Sequence, residues 1–283
     1  MVENRPWFTV MAHIVLLLGL LIVALPIWLT FVASTHDQVR MLQAPVPLWP
    51  GSYMIENYRT VIMTSIGASS SSPPVGLMMF NSLVMALAIA LGKIAISIIA
   101  AYAIVYFSFP FRMVVFWMIF FTLMLPVEVR ILPTYKVVAD LGLLNSYTGL
   151  TLPLIASATA TFLFRQFFLS VPDELTEAAR IDGAGPLRFF KDILLPLSST
   201  SIAALFVIQF IYGWNQYLWP LIITTDESYY TVVMGISRQV NVVDAAAKWN
   251  YVMSMVLLAM IPPVIVVIIM QRWFIKGLVE TEK

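Results

Sequence analysis

The side chains best suited to binding a polar solute form one short cluster of Asn215, Gln216, Tyr217 and Trp219. Two neighbouring amides, a phenol and an indole can form hydrogen bonds, but none is a good nucleophile or general base near neutral pH. A glycine precedes the cluster and a proline follows it, so we expect the chain to unwind locally there. This chemistry indicates recognition of a solute, or hydrogen bonds between helices, rather than catalysis.

Two cations lie in or beside apolar stretches, and both could contact an anionic substrate. Lys93 lies inside one apolar run, and Arg130 follows another. We predict both as candidate phosphate contacts, and each has a structural alternative. The ammonium group of Lys93 can instead reach along its aliphatic stem towards water. Arg130, together with Glu128, can instead anchor the chain at a membrane surface.

Residue types required by other chemistries are scarce or missing. The sequence has no Cys and only two His residues, His13 and His36, so we predict no metal site and no catalytic residue. It has no glycine-rich phosphate-binding loop ending in Gly-Lys-Ser or Gly-Lys-Thr, so we expect no nucleotide site. The net charge of +1 argues against nucleic acid as a partner. We therefore predict a non-catalytic chain without a cofactor.

The composition indicates which elements must position these residues. Apolar residues make up 60% of the chain and charged residues 11%, and the mean hydropathy is +0.90. Soluble domains carry about 25% charged residues, so these values predict an all-α integral membrane protein with about six transmembrane helices. The six apolar segments lie at roughly 11–33, 79–104, 113–133, 147–168, 202–224 and 251–275.

Two of the six segments allow another interpretation. The third has a short apolar run before Pro126, so it could instead be a buried or re-entrant piece. The first could be taken for a signal peptide, but its apolar core exceeds the roughly 7–15 residues of such signals. We therefore predict an uncleaved N-terminal anchor.

The distribution of basic residues predicts the orientation of the chain. Lys and Arg are roughly twice as dense in the segments that share a side with both termini. We therefore expect cytoplasmic termini, a long outer loop at about 34–78 and a cytoplasmic loop at about 170–196. Asn215 would then lie about 20 Å along the fifth segment, past the middle of a membrane core about 30 Å thick.

The predicted cytoplasmic loop has the pattern of two short helices joined by a turn. Its sequence reads SVPDELTEAARIDGAGPLRFFKDILLP. Pro172 is suited to a helix start, and acidic residues follow it where the helix dipole favours them. Ala178 and Ala179 leave a narrow face, and Gly183 can adopt the left-handed conformation that ends a helix. A second helix begins at Pro186, so we predict a helix–turn–helix elbow; the alternative is a plain solvated connection.

This loop resembles the EAA loop of binding-protein-dependent ABC importer permeases of the type I, maltose-system-like family. The resemblance extends over about 80–271 and implies one permease domain over 1–283, with the type I permease fold. It also implies that the elbow docks into a cleft of a separate ATPase, where Glu177 contacts a basic residue. The residues that this resemblance assigns to ATPase coupling are Glu177, Ala178, Ala179, Asp182, Gly183 and Phe189.

Four further stretches resemble the permeases of sn-glycerol-3-phosphate importers within that family. They read ENRPW, MLPVEVRILPT, SATATFLFRQFF and FIYGWNQYLWPL. This resemblance implies import of sn-glycerol 3-phosphate across a bacterial inner membrane, with glycerophosphodiesters as further candidates. The implied partners are a second homologous permease subunit, two copies of an ABC ATPase, a periplasmic solute-binding protein and membrane lipid.

The residues alone leave other functions open. A sugar importer's permease would have the same architecture. A secondary transporter driven by ion gradients is disfavoured because the cores of the apolar segments carry no Asp or Glu. A membrane enzyme is disfavoured by the lack of a nucleophile–base pair. For an importer, we predict that Asn215, Gln216, Tyr217 and Trp219 line the translocation path, with helix packing as the alternative.

Overall fold

The computed structural model describes residues 6–64, 73–241 and 247–280, and all regular structure in these ranges is helical. Short 3-10 turns occur at Thr122–Met124, Leu152–Leu154 and Glu227–Tyr229, and a π-helical stretch at Phe190–Leu194. The α-helices are α1 (Pro6–Ser34), α2 (Gln38–Met41), α3 (Met54–Met63), α4 (Val75–Tyr106), α5 (Arg112–Phe121), α6 (Val127–Asp140), α7 (Tyr147–Thr151), α8 (Ala158–Leu169), α9 (Asp173–Ile181), α10 (Pro186–Phe189), α11 (Leu195–Leu197), α12 (Ser199–Trp214), α13 (Leu218–Ile223), α14 (Val232–Val240) and α15 (Trp249–Glu280).

Three single helices, α1, α4 and α15, are long and apolar enough to cross a membrane. Their most apolar windows have mean hydropathies of 2.8, 2.4 and 2.8. Three pairs of shorter helices meet the same requirement when each bent pair counts as one span. The described part of the chain therefore offers three to six crossings, in agreement with the prediction of about six.

The third predicted segment, 113–133, lies in a bent pair of helices, a geometry that both the predicted span and its re-entrant alternative allow. The helical stretches Arg112–Met124 and Val129–Asp140 meet at an angle of 108°. Leu125 is extended, with ψ at 112°, and Pro126 also departs from helical geometry, with ψ at 146°. Pro126 explains the bend, because its ring disfavours a helical conformation in the preceding residue and it provides no N–H group.

The fourth and fifth predicted segments are interrupted as well. The fourth bends by 47° between Tyr147–Leu154 and Ala158–Leu169. In the fifth, predicted at 202–224, α12 ends at Trp214 and α13 begins at Leu218. The expected local unwinding at the amide cluster is therefore confirmed. The length and hydropathy of a membrane span are instead reached when α12 is joined to the preceding stretch Pro186–Leu197, which it meets at an angle of 70°.

The chain divides into two compact units, and the first comprises Met1–Gly76 and Gly235–Met260. In this unit the buried amide of Asn57 connects α3 to the turn after α1. Its Nδ2 donates hydrogen bonds of 2.8 Å to the carbonyl oxygens of Ser34 and His36. Its Oδ1 accepts a hydrogen bond of 3.1 Å from the amide of Asn250 in α15. The start of the predicted outer loop is therefore held by buried amides.

The second unit comprises Leu77–Met234 and Ile261–Lys283 and contains two apolar cores. The first core includes Phe164 and Phe168 of α8, which are almost completely buried. The second includes Met85 of α4 and Trp219 of α13. Three of the sequence-predicted site residues, Ala179, Phe189 and Trp219, belong to these cores, so the packing of this unit decides how they are presented.

Candidate functional site

The predicted elbow, 170–196, is a helix–turn–helix, and its turn is set by backbone hydrogen bonds. The Gly183 N–H donates to the Arg180 carbonyl at 3.1 Å, and the Ala184 N–H donates to the Ala179 carbonyl at 2.9 Å. This pair of bonds is the Schellman ending of a helix, which needs a left-handed residue at its centre. Gly183 has φ at 68°, as its position predicts.

The second limb of the elbow starts at Pro186 and continues through the π-helical stretch Phe190–Leu194 into α11. Pro186 is suited to this first position because a first-turn residue needs no N–H partner. Arg188 and Asp192 form an exposed ion pair, with Nε and Oδ2 separated by 3.5 Å. Exposed pairs of this kind contribute little, about 0–1 kcal/mol, so apolar packing must hold the limb.

The inner side of the elbow packs against its own unit. Ala179 and Phe189 are each only 5% exposed and belong to the same core as Phe168 and Leu194. In this conformation the chain's own core covers Ala179 and Phe189, and their role in ATPase coupling stays a prediction. The pattern predicted a narrow face correctly, but this chain itself covers it.

The outer side of the elbow carries the remaining predicted coupling residues. Glu177, Ala178, Asp182 and Gly183 are all exposed. Sequence reasoning did not single out two exposed apolar neighbours of these residues. Ile181 is 86% exposed and Leu187 is 80% exposed. The sequence shows both as apolar residues on either side of the turn. Their exposure depends on how the two limbs pack, which the sequence does not show.

Aromatic side chains fasten the elbow to the end of α4. The Tyr102 hydroxyl donates to the Pro186 carbonyl at 2.8 Å, and its ring lies 4.8 Å from that of Phe190. The ring of Tyr106 meets that of Phe189 edge-on at 5.3 Å. A cavity of about 150 Å³ remains between these rings and α9. The elbow is therefore connected to α4 by a hydrogen bond and ring packing at the same place.

Lys93 also lies on α4, nine residues before Tyr102, and its side chain does not extend towards water. It is 7% exposed, and its Nζ donates a hydrogen bond of 3.0 Å to Oε1 of Gln209 in α12. The same Nζ lies 3.9 Å from the ring centroid of Tyr212. The alternative of a lysine reaching for the membrane surface is therefore wrong in this conformation, and the partner residues Gln209 and Tyr212 were missed.

The four residues of the amide cluster have different surroundings. Asn215 is exposed and ends α12, and Nε2 of Gln216 donates to the Tyr212 carbonyl at 3.1 Å. Tyr217 is 38% exposed. Trp219 is 4% exposed, and its Nε1 donates to the Gly149 carbonyl at 3.1 Å. Packing thus accounts for most of the Trp219 side chain, whereas Asn215 and Tyr217 remain accessible.

One small cavity brings several predicted residues together. Its volume is about 100 Å³. Arg130 and Thr134 of α6 line it on one side, and Tyr212, Gln216 and Trp219 line it on another. The two candidate cations are thus related through Tyr212, whose side chain borders both this cavity and Lys93. The sequence did not reveal this cavity, because α6 and α12 are far apart in the chain.

Asn145 holds the loop that follows the amide cluster. Its φ is 51°, and its Oδ1 accepts hydrogen bonds from the N–H groups of Thr225 and Asp226 at 2.7 and 2.9 Å. Its own N–H donates to the Ile223 carbonyl at 3.2 Å. The N–H and hydroxyl of Ser228 hold the pKa of the Asp226 carboxyl below its usual range. The end of α13 is therefore fixed by polar contacts outside the predicted spans.

The described residues contain no group of three or more His, Cys, Asp or Glu side chains that could hold a metal ion. The polar side chains that line the small cavity beside Arg130 carry hydroxyl groups, an amide, an indole N–H and a guanidinium group. They can bind and release a solute by hydrogen bonds and charge. The arrangement is therefore suited to binding and conduction.

Comparisons with known proteins agree with this picture. The family model described as "Binding-protein-dependent transport system inner membrane component" matches residues 93–280. A protein of Agrobacterium fabrum (strain C58 / ATCC 33970), named "sn-glycerol-3-phosphate transport system permease protein UgpE", is 61% identical over 100% of both chains. Proteins of the same name from Brucella melitensis and Pectobacterium atrosepticum are 59% and 58% identical, again over 100% of both chains.

A solved structure shares the fold. It is a chain of a bacterial ABC transporter "involved in the import of the acidic polysaccharide alginate", with a TM-score of 0.82 at 21% sequence identity. The match covers 97% of this chain and 99% of that chain. The predicted type I ABC permease fold is thereby confirmed, with several apolar helices in a multi-pass arrangement. The chain belongs to the family of binding-protein-dependent transport system inner membrane components.

Proposed function

We propose that this chain is a permease subunit of an ATP-driven importer for sn-glycerol 3-phosphate and forms half of its translocation path. The observation that carries the proposal is the 61% identity, over the full length of both chains, with a permease named for sn-glycerol-3-phosphate transport. Glycerophosphodiesters are further candidate substrates because they share the glycerophosphate group. The chain itself is non-catalytic, and ATP hydrolysis belongs to a separate subunit.

The proposed assembly contains this chain, a second homologous permease, two copies of an ABC ATPase and a periplasmic solute-binding protein. The elbow supports the ATPase contact, because Glu177 is exposed beside the apolar side chains of Ile181 and Leu187. An acidic group next to exposed apolar surface suits a cleft that offers a cation and apolar walls. On this proposal, Glu177 pairs with a basic residue of the ATPase.

The elbow is also well connected to the candidate path. Tyr102, which bonds to the elbow, precedes the end of α4 and lies about 14 Å from Lys93 along the same helix, at about 1.5 Å per residue. On the other side, α12 begins at Ser199, directly after the elbow, and carries Gln209. A displacement of the elbow would therefore move two helices that meet at the Lys93–Gln209 hydrogen bond.

The proposed orientation places both termini and the elbow in the cytoplasm of a bacterial cell, with the protein in the inner membrane. The basic-residue asymmetry of the sequence supports it. A reporter fused at Gly185 is expected to report the cytoplasm, and one fused at Gly142 the periplasm. The reverse pattern would overturn the orientation.

The proposal is tested by reconstituting the complete importer in proteoliposomes with its binding protein and measuring uptake of radiolabelled sn-glycerol 3-phosphate. Uptake should require ATP and the binding protein, and vanadate should inhibit it. Uptake that collapses with an uncoupler and ignores vanadate would favour an ion-driven transporter. ATP-dependent uptake of a neutral sugar without uptake of sn-glycerol 3-phosphate would replace the proposed substrate.

A further inference from the structure

The cavity between α6 and α12 is lined by groups that bind anions. Arg130 contributes a guanidinium group, whose planar set of N–H donors matches two oxygens of a phosphate or carboxylate. Tyr212 and Thr134 contribute hydroxyl groups, and Gln216 contributes an amide. The cavity volume of about 100 Å³ suits a compact head group rather than a chain of sugar units.

Lys93 adds a second positive charge behind one wall of this cavity. Its Nζ lies 3.9 Å from the centroid of the Tyr212 ring, and Tyr212 also lines the cavity. The charges of Lys93 and Arg130 repel each other. Two cations kept near one small cavity, at a cost in electrostatic energy, would both gain from an anion placed there.

The charge of Lys93 is incompletely compensated. Among the side chains that the structure describes, no carboxylate is paired with Lys93; its Nζ contacts the Gln209 amide oxygen and the Tyr212 ring. A buried ammonium group next to neutral partners alone is costly within a membrane protein, and such residues mark substrate pathways more often than packing sites. The missing negative charge is therefore expected to come from a ligand.

We infer that Arg130 and Tyr212 form a subsite for the phosphate group of the substrate, with Lys93 as a second cation behind the Tyr212 ring. Arg130 contacts the phosphate oxygens directly, and the Tyr212 hydroxyl donates a hydrogen bond to them. Lys93 acts through its charge. The inference rests on the proposed function and deepens it, because it assigns recognition of the phosphate to particular residues of this chain.

The subsite has a charge signature that a packing role would lack. A phosphate monoester carries about one negative charge below its second pKa of about 6 and about two above it. Coulomb attraction to the two cations grows with the ligand's charge. Removing one cation should therefore impair transport of the dianion at pH 7.5 more than transport of the monoanion at pH 5.5.

The experiment uses the complete importer in proteoliposomes, saturated with its binding protein, and measures uptake of radiolabelled sn-glycerol 3-phosphate at the two pH values. Arg130→Gln is expected to lower uptake at least about tenfold at pH 7.5. At pH 5.5 the fold-loss of uptake should be about three times smaller. Arg130→Lys keeps the charge but loses the paired N–H donors, so it should restore part of the uptake and keep the pH dependence of wild type. Lys93→Met should show the same pH dependence with a smaller loss. Lys136→Gln, an exposed cation on α6 that does not line the cavity, is the matched control.

The outcomes separate the subsite from the proposed function. Co-purification of the partner permease and the ATPase identifies variants that fail to assemble, and Arg130→Lys then serves as the deciding comparison with wild type at the two pH values. If wild type imports sn-glycerol 3-phosphate and both Arg130→Gln and Lys93→Met match the Lys136→Gln control, the subsite is refuted and the function stands. Equal losses at the two pH values would also refute it. If wild type imports only a neutral solute, the function and the subsite fail together.

Discussion

The elbow and the interruption at Asn215–Tyr217 are both breaks between helices of the same unit, yet they expose opposite chemistry. The elbow hides Ala179 and Phe189 within its own core and exposes the aliphatic side chains of Ile181 and Leu187. The interruption hides Trp219 and leaves the amide of Asn215 accessible. Exposed apolar side chains suit another protein's surface, whereas an accessible amide within a predicted span suits a polar solute.

The two breaks also differ in how they are held. The elbow turns at Gly183 and is fastened to α4 by Tyr102. The interruption is fastened by Trp219, whose indole bonds to the Gly149 carbonyl, and the loop beyond it is held by Asn145. Each break is thus held by contacts that the other break does not share. The comparison suggests two specialised surfaces, one for force transfer and one for the solute, and each can be perturbed alone.

The largest effect is expected for Glu177→Lys on the elbow. Breaking a buried, hydrogen-bonded charge pair at an interface costs about 2–5 kcal/mol, which corresponds to at least about a 30-fold loss of affinity. The variant should therefore lose the ATPase on purification and lose substrate-stimulated ATP hydrolysis. Asp140→Lys makes the same charge change at an exposed position of α6 and should retain both. Normal co-purification and stimulation in Glu177→Lys would remove the elbow's proposed role.

Gly183→Val should act on the same surface through geometry. A left-handed backbone costs about 1–2 kcal/mol for a residue with a side chain, and more for a β-branched one. The two limbs should lose their angle, and stimulated ATP hydrolysis should fall about fivefold to thirtyfold. Gly185→Ala is the control, because Gly185 has φ at −70° and open space at its Cβ position. Equal effects of the two substitutions would exclude the turn conformation as the cause.

Asn215→Leu tests the other break. The substitution removes an accessible amide from the predicted path, so uptake should fall about threefold to tenfold, in line with the loss of one hydrogen bond to the solute. Assembly with the ATPase should remain normal. Asn241→Leu, which removes an exposed amide from the end of α14, should leave uptake unchanged. Unchanged uptake in Asn215→Leu would show that Asn215 only ends α12 and does not contact the solute.

The smallest effect is expected for Tyr102→Phe, which removes one hydrogen bond from the joint and keeps the ring packing with Phe190. The loss should be about 0.5–1.5 kcal/mol in the stability of the joint. Coupling, measured as substrate molecules imported per ATP hydrolysed, should fall less than this loss alone would give (about twofold to tenfold), because the ring packing still holds the joint. A loss as large as that of Glu177→Lys would mean that the joint, rather than the ATPase contact, limits coupling.

The sequence predicted local features well where one residue's backbone preference decides them. Gly183 marked the left-handed turn, and the glycine and proline around the amide cluster marked its unwinding. It failed where a distant partner decides. The alanines of α9 indicate a narrow face, but not that Phe189 and the α8 core would cover Ala179. Lys93 and Gln209 are 116 positions apart, and no local pattern relates them.

The third segment shows the same limit. Its short apolar run before Pro126 allowed either a span or a re-entrant piece, and the structure adds the angle of 108° between the helical stretches Arg112–Met124 and Val129–Asp140. The bend matters for the site, because it carries Arg130 on α6 to the wall of a cavity shared with α12. Proline signals a break in the sequence, but the direction that the chain takes afterwards depends on tertiary contacts.

The central claim is that the outer side of the elbow, and not the buried Ala179, contacts the ATPase. The chain has no Cys, so single cysteines at Ile181, Leu187 and Ala179 can each carry a maleimide photo-crosslinker without labelling elsewhere in this chain. In the complete importer in membranes, we expect Ile181→Cys and Leu187→Cys to crosslink to the ATPase. Ala179→Cys should be labelled poorly and give no ATPase product, because Ala179 is 5% exposed. Crosslinking from Ala179→Cys, with none from Ile181→Cys or Leu187→Cys, would contradict the claim.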